Sequence, residues 1–186
     1  IDGTMIGEDR LVKPELVEAI QRVQNTGAMV SVSTGRTFKP ALRIAEQAGA
    51  AGPVICFQGA MTYDQLTKKT IRHERLDQDV TSKAITALVS VVPEVMMFLG
   101  DDVWVEKRSE WTNAYGERMG IAIRDTDSLI SMSDKNPTAI VGVGEPSIVE
   151  PLVGKLHSQL IGSALVTHSL PMFCEVEAIG AGKDLA

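Results

Sequence analysis

The chain has no apolar run long enough to span a membrane. The best candidate, around residues 87–99, is broken by Pro93 and Glu94. No signal-peptide pattern is visible in the 186 residues. Positive charge is also scarce: 18 Lys and Arg against 24 Asp and Glu give a net charge of −6. Such a surface does not attract nucleic acid or an anionic membrane. An anionic ligand would need a local basic site or a bound cation. There are only two cysteines, Cys56 and Cys174, both in apolar, strand-like runs. They read as buried free thiols in a reducing compartment, so the chain is expected to be cytoplasmic. A disulfide would need a separation that spacing alone does not reveal. His73, His157 and His168 are scattered, and no pair has helical metal-ligand spacing. No internal repeat or low-complexity tract is present.

What remains is an ordinary globular composition, 44% hydrophobic and 23% charged, enough to bury a real core. The first part alternates helix and strand. Lys13-Pro14-Glu15 opens a helix, with Pro in the first turn and Glu suited to the macrodipole. Leu16, Val17, Ile20 and Val23 repeat at helical spacing, and Asn25-Thr26-Gly27 stops the run. Residues 28–33 read as a strand, 39–48 as a second helix and 54–57 as a short buried strand. Such alternation argues for a parallel sheet.

From Gln58-Gly59-Ala60 the character changes. Residues 61–63 and 69–74 read as paired strands, 77–91 as an amphipathic helix, and 95–99 with 103–107 as a hairpin turning at Gly100-Asp101-Asp102. A helix capped by Ser109 follows, to Met119; residues 120–136 are polar and ambiguous. Then come a strand over 138–143, a helix over 146–160 with Ile148, Val149, Leu152, Val153 and Leu156 on its apolar face, and two strands over 164–168 and 172–176. Hairpins mixed with helices suggest α+β with an antiparallel sheet.

Three short stations stand out: Asp2-Gly3-Thr4, Ser33-Thr34-Gly35-Arg36 after an apolar strand, and Gly182-Lys183 near the other end. In this order they resemble the haloacid dehalogenase superfamily of phosphohydrolases, in its Cof-like branch with a large α/β cap. That family's first motif reads Asp-x-Asp-Gly-Thr, so Ile1 would be the x and Asp2 the second Asp. The resemblance implies a fragment: a chain that begins one residue after the nucleophile and stops before the distal acidic metal-binding motif. It covers nearly the whole chain and implies a Rossmann-like parallel-sheet core, incomplete here. Residues 1–57 and 181–186 would form that core. Residues 58–180 would form an inserted α+β cap with a mostly antiparallel sheet. Gln58 stands where the family usually has Asn, and Asp184 where it usually has Gly.

The resemblance also implies roles. Asp2 would be the general acid and base, and its backbone carbonyl a Mg²⁺ ligand. Thr34, Gly35, Arg36 and Lys183 would bind phosphate, with Lys183 also catalytic. The physical logic is charge: an anionic ester repels a carboxylate nucleophile, and cations and N–H donors offset that repulsion. Each residue has a plainer reading. Asp2 could be a turn aspartate, Thr34 a helix cap, and Lys183 a surface lysine in a Gly-rich loop. Arg36 could pair with phosphate or with a core carboxylate. Trp104 and Trp111 suit packing within the cap better than a pocket wall.

Other motifs fail on spacing. Gly180-Ala181-Gly182-Lys183 is not a P-loop, because Glu177 and Asp184 stand where Gly and Ser or Thr are needed. Gly142-Val143-Gly144 lacks the third dinucleotide-binding glycine, replaced by Ser147. Asp101-Asp102 is explained by a hairpin turn. The expectation is therefore a Mg²⁺-dependent phosphohydrolase acting through an aspartyl-phosphate on a small phosphorylated metabolite, a sugar phosphate being one candidate. The 186 residues by themselves are expected to be inactive. The alternative is a non-catalytic binding or regulatory domain that keeps the fold.

Overall fold

The computed structural model describes residues 1–186. The chain divides into two compact units, Ile1–His73 with Gly182–Ala186, and Glu74–Ala181. The second unit is thus inserted in the chain of the first.

In the first unit, helix α1 spans Pro14–Gln24, opening with Pro14 and Glu15. A proline costs little there because the first-turn N–H groups have no helical partner. Strand β1 is Val32–Ser33, helix α2 is Phe38–Ala48, and β2 is Val54–Cys56. Strands β3, Met61–Asp64, and β4, Lys69–His73, form a hairpin. The sheet order is β1-β2-β3-β4. β1 runs parallel to β2, with Val32 opposite Val54, and the remaining pairs are antiparallel. Val32, Ile44, Ala45, Val54 and Cys56 are buried in this unit.

Two sequence expectations change here. The hairpin at residues 61–73 belongs to the first unit's sheet, because β3 pairs with β2 from Cys56↔Met61 to Val54↔Tyr63. The crossings therefore fall at His73/Glu74 and Ala181/Gly182, not at residues 57/58 and 180/181. Hairpin alternation in the sequence cannot say which sheet a strand joins. The strand expected over residues 28–33 is reduced to Val32–Ser33. β1 has one neighbour in the sheet, so Met29 and Ser31 are left exposed. Asp2 lies outside the strands of this sheet. It makes only an isolated bridge with Ile6, within a turn closed by Met5 N–H to Ile1 O.

The second unit is built on a six-stranded sheet of order β7-β6-β5-β8-β10-β9. Its elements are α3 (Gln78–Val89), β5 (Glu94–Leu99), β6 (Asp102–Val105), α4 (Glu110–Met119), β7 (Ala122–Asp125), β8 (Ala139–Val143), α5 (Pro146–Gln159), β9 (Ala164–Thr167) and β10 (Phe173–Ala178). Every pairing is antiparallel except β6 with β7. The ambiguous stretch 120–136 supplies β7 and a 3-10 turn at Ile130–Lys135. Asp77 caps α3, its carboxylate accepting from Val80 N–H at 2.8 Å. Ser109 and Thr112 form a reciprocal cap on α4. Ile85, Leu88, Val149 and Leu156 join Met97, Ile140, Cys174 and Val176 in one core. Ile148, expected on that face, is 42% exposed. Trp104 packs against the core, and Trp111 stacks on Tyr115 at 5.5 Å. No helix is long and apolar enough to cross a membrane.

Cys56 and Cys174 are free and buried, and burial pushes both thiols up to about 12. The thiolate is the reactive form, so both should be inert in the folded chain. A thiol reagent at neutral pH is expected to label neither in the native protein and both after denaturation. Rapid labelling of the native chain would show that one of these strands opens readily.

Candidate functional site

The parallel pairing of β1 and β2 continues one residue past β1, with Thr34 N–H donating to Ile55 O at 3.0 Å. Thr34 is 4% exposed, and its hydroxyl oxygen accepts from Arg36 N–H at 3.2 Å. This closes the turn between β1 and α2. It leaves the hydroxyl hydrogen available to a further acceptor. Thr34 does not cap α2; Thr37 holds that position and makes no side-chain cap bond. Gly35 is exposed, and its N–H has no partner within the chain. The turn therefore presents an unused backbone donor and an unused hydroxyl proton at a strand-to-helix junction, where anions are favoured.

A second turn is laced onto the first. Phe57 N–H donates to Arg36 O at 2.9 Å, and Gln58 N–H to Thr34 O at 3.3 Å. Three consecutive residues here have left-handed backbone: Phe57 (φ 49°), Gln58 (φ 52°) and Gly59 (φ 102°). The conformation aims the Gln58 carboxamide at Gly35. A Cβ on Gly35 would lie 2.7 Å from Gln58 Cδ and 2.9 Å from Oε1. Gly59 turns the other way. A Cβ there would collide with the Gly182 carbonyl and lie 2.8 Å from Lys183 N. Glycine at 59 is thus required twice, by its φ and by the close approach of a second backbone. This contact draws the Gly182–Lys183 segment into the first unit, about 120 residues along the chain from Gly59.

Arg36 resolves its own ambiguity in this structure by pairing with a carboxylate. Its Nε donates to Asp2 Oδ2 at 2.9 Å and its terminal nitrogen to Oδ1 at 2.5 Å. The Arg36 side chain is 17% exposed and Asp2 63%, so a largely sheltered guanidinium holds an outer carboxylate. The hydrogen bonds from Arg36, ahead of its charge, pull the Asp2 carboxyl below its usual value. In this arrangement Asp2 is an ionised acceptor and has no proton to give. To act as an acid it must leave Arg36. Lys183 is exposed and makes no ion pair.

Sequence reasoning thus named Asp2, Thr34, Gly35, Arg36 and Lys183, and the fold gathers these stations in one unit. It passed over the bridging part played by Gln58-Gly59, which it took for the chain's exit into the cap. The available signal was a polar residue and a glycine directly after a buried strand. A Mg²⁺ ligand set around Asp2 is not completed by these residues. The ligand expected from Asp2 is its backbone carbonyl, and no group of three or more His, Cys, Asp or Glu is placed to hold a metal ion.

Two outcomes follow from this geometry. Gly59→Ala should cost roughly 1–3 kcal/mol from backbone strain, and more from the clash with the Gly182 carbonyl. Urea denaturation checks it; a neutral effect would mean that the two backbones separate easily. Asp2→Asn should lower stability at neutral pH by about 0.2–1 kcal/mol, the range for an exposed pair. Because the folded carboxyl is depressed, its contribution is present above the unfolded value of 3.8 and is lost as pH falls through the folded one. Wild type and variant should therefore converge in acid. A gap that does not narrow at all as the pH falls below 3.8 would assign the effect to something other than the Arg36 pair.

Comparison with known proteins fits this arrangement. The sequence model of the haloacid dehalogenase-like hydrolases matches residues 1–186. A curated relative, the Bacillus subtilis 5-amino-6-(5-phospho-D-ribitylamino)uracil phosphatase YitU, is 27% identical over 112 residues. That match covers 59% of this chain and 42% of the relative, so the chain spans under half of YitU's length in the alignment. The crystal structure of a haloacid dehalogenase-like hydrolase from Bacteroides thetaiotaomicron superposes with a TM-score of 0.86 at 18% identity, over 99% of this chain and 71% of that one. The subclass IIB sugar phosphatase BT4131 superposes with a TM-score of 0.81 at 17% identity, over all of this chain and 70% of its own. The fold is that of the haloacid dehalogenase-like hydrolases, and the chain belongs to that family.

Proposed function

We propose that this sequence is the phosphate-binding and acid–base part of a phosphohydrolase acting on a small phosphate ester. The observation that carries the proposal is the gathering of Asp2, Thr34-Gly35-Arg36 and Lys183 in one unit by two long-range contacts, Asp2 with Arg36 and Gly59 with Gly182-Lys183. Thr34 Oγ and Gly35 N–H would donate to phosphate oxygens. Lys183 would add a compact positive charge. Asp2 would carry the proton to the leaving oxygen once an anionic ligand competes for Arg36. A phosphate dianion is a strong rival for that guanidinium, since both partners suit bidentate pairing.

The substrate class proposed is a sugar or sugar-alcohol phosphate. YitU is named for a phosphoribitylamino substrate and BT4131 for sugar phosphates, and both names support that class. Mg²⁺ is proposed as the cofactor through the family, with the Asp2 backbone carbonyl as this chain's contribution to its binding. When bound, Mg²⁺ would offset phosphate charge.

The two-carboxylate route needs one carboxylate as nucleophile and another as acid and base. Asp2 cannot serve as both. The 186 residues are therefore expected to bind inorganic phosphate but not to hydrolyse a panel of sugar phosphates, with or without Mg²⁺. Metal-dependent turnover by this chain would refute that expectation. In any longer form that does turn over an ester, Asp2→Asn should lower kcat by at least about a hundredfold, the usual scale for a lost acid–base group. Full activity in that variant would remove Asp2 from the mechanism. Phosphate binding with no turnover in any form would favour a binding or regulatory domain.

A further inference from the structure

We infer that Gln58 is a phosphate-contacting residue, its carboxamide a donor set beside the Thr34 hydroxyl and the Gly35 N–H. The inference rests on the phosphate reading of the turn and adds a residue to it. Four observations carry it.

The first is a run of left-handed backbone. Phe57 and Gln58 are both left-handed without being glycine, next to Gly59. Each such residue costs on the order of 1 kcal/mol or more, and runs of them are unusual. The second is how the strained turn is held. Its backbone is tied to the phosphate turn by Phe57 N–H to Arg36 O and Gln58 N–H to Thr34 O. Movement of one turn therefore moves the other. The third is direction. The Gln58 carboxamide lies against the face of Gly35 that any side chain would fill, with Cδ at 2.7 Å and Oε1 at 2.9 Å from that point. Glycine at 35 is what admits the carboxamide to the turn. The fourth is that the carboxamide itself makes no hydrogen bond within the chain, although Gln58 is half-buried. Its amide hydrogens are therefore free to meet a ligand. Here the groups beside it, Gly35 N–H and the Thr34 hydroxyl hydrogen, are also unused donors. The N–H and O–H hydrogens of these three groups have no acceptor within the chain, and together they suit an anion with several oxygens.

The chemistry asked of Gln58 is modest. Its N–H₂ donates one or two hydrogen bonds to non-bridging phosphate oxygens and takes no part in proton transfer. Hydrogen bonds to a charged partner are worth more than neutral ones, so losing them should weaken phosphate binding about tenfold or more.

The test is a calorimetric titration of the 186-residue chain with inorganic phosphate, comparing wild type, Gln58→Met and Gln58→Glu. Gln58→Met keeps the length and removes the donors. It should bind phosphate at least about tenfold more weakly, with an unchanged melting temperature. Gln58→Glu keeps the shape and replaces a donor by an anion. Its deficit against wild type, measured at each pH, should grow as the new carboxylate ionises above about pH 4. If Gln58→Met binds as tightly as wild type, or if the Gln58→Glu deficit does not change with pH, the inference is overturned and the phosphate turn stands without it. If the wild-type chain binds no phosphate at tens of millimolar, the phosphate reading of the turn falls and this inference falls with it. Should Gln58→Met lower the melting temperature, the pH dependence of Gln58→Glu still decides the question.

Discussion

The contact on which the candidate site depends is between two backbones. Gly59 approaches Gly182-Lys183 so closely that no side chain could stand between them. Without that approach Lys183 would be a lysine in a Gly-rich loop, and the first unit would lose the segment that returns to it after residue 181. Glycine supplies the approach by having no Cβ, and it also tolerates the φ of 102° that points the chain that way. Such contacts have little elasticity, since a single methyl would have to displace main chain.

Charge is the second constraint. The protein is acidic overall, yet Arg36, Lys183 and the unpaired N–H of Gly35 belong to one unit. In this structure Asp2 answers Arg36, and the pairing keeps the carboxylate ionised. That state suits a base or a resting ion pair. An acid needs its proton, so the step from resting pair to acid requires a competitor for Arg36. Under the proposed function an anionic substrate would be such a competitor and would link binding to the protonation state of Asp2 by electrostatics.

The two sheets divide the physical work differently. The second unit is stabilised by burial: β8 is buried along its whole length, packed against α3 and with strand neighbours on both edges, while α5 packs on β9 and β10. Its order is dictated by side-chain packing, with caps at Asp77 and Ser109 setting where helices begin. The first unit has a smaller sheet with a two-residue edge strand. Its site relies instead on turns whose backbone groups bond to one another, Thr34 to Ile55, Phe57 to Arg36 and Gln58 to Thr34. Donors left over by such turns are the ones that can meet a ligand.

Local pattern sufficed for most elements. α1, α2, α3, α4 and α5 lie where periodicity and capping residues put them, and the β5–β6 and β9–β10 hairpins lie where turn residues separate apolar runs. The named stations were also legible, because Asp-Gly-Thr, Ser-Thr-Gly-Arg and Gly-Lys are short and ordered. Pairing across the chain was not. The allegiance of the β3–β4 hairpin to the first sheet, and so the crossing at His73/Glu74, depends on β2 accepting β3, which a hairpin's own residues do not encode. The parallel β6–β7 pair lay hidden in the polar stretch 120–136 for the same reason. The choice of Arg36 between phosphate and carboxylate, and the placing of the Gln58 carboxamide against Gly35, were decided only by tertiary structure. Both depend on residues more than 20 positions apart being brought within ångströms, and residue type carries no information about that distance.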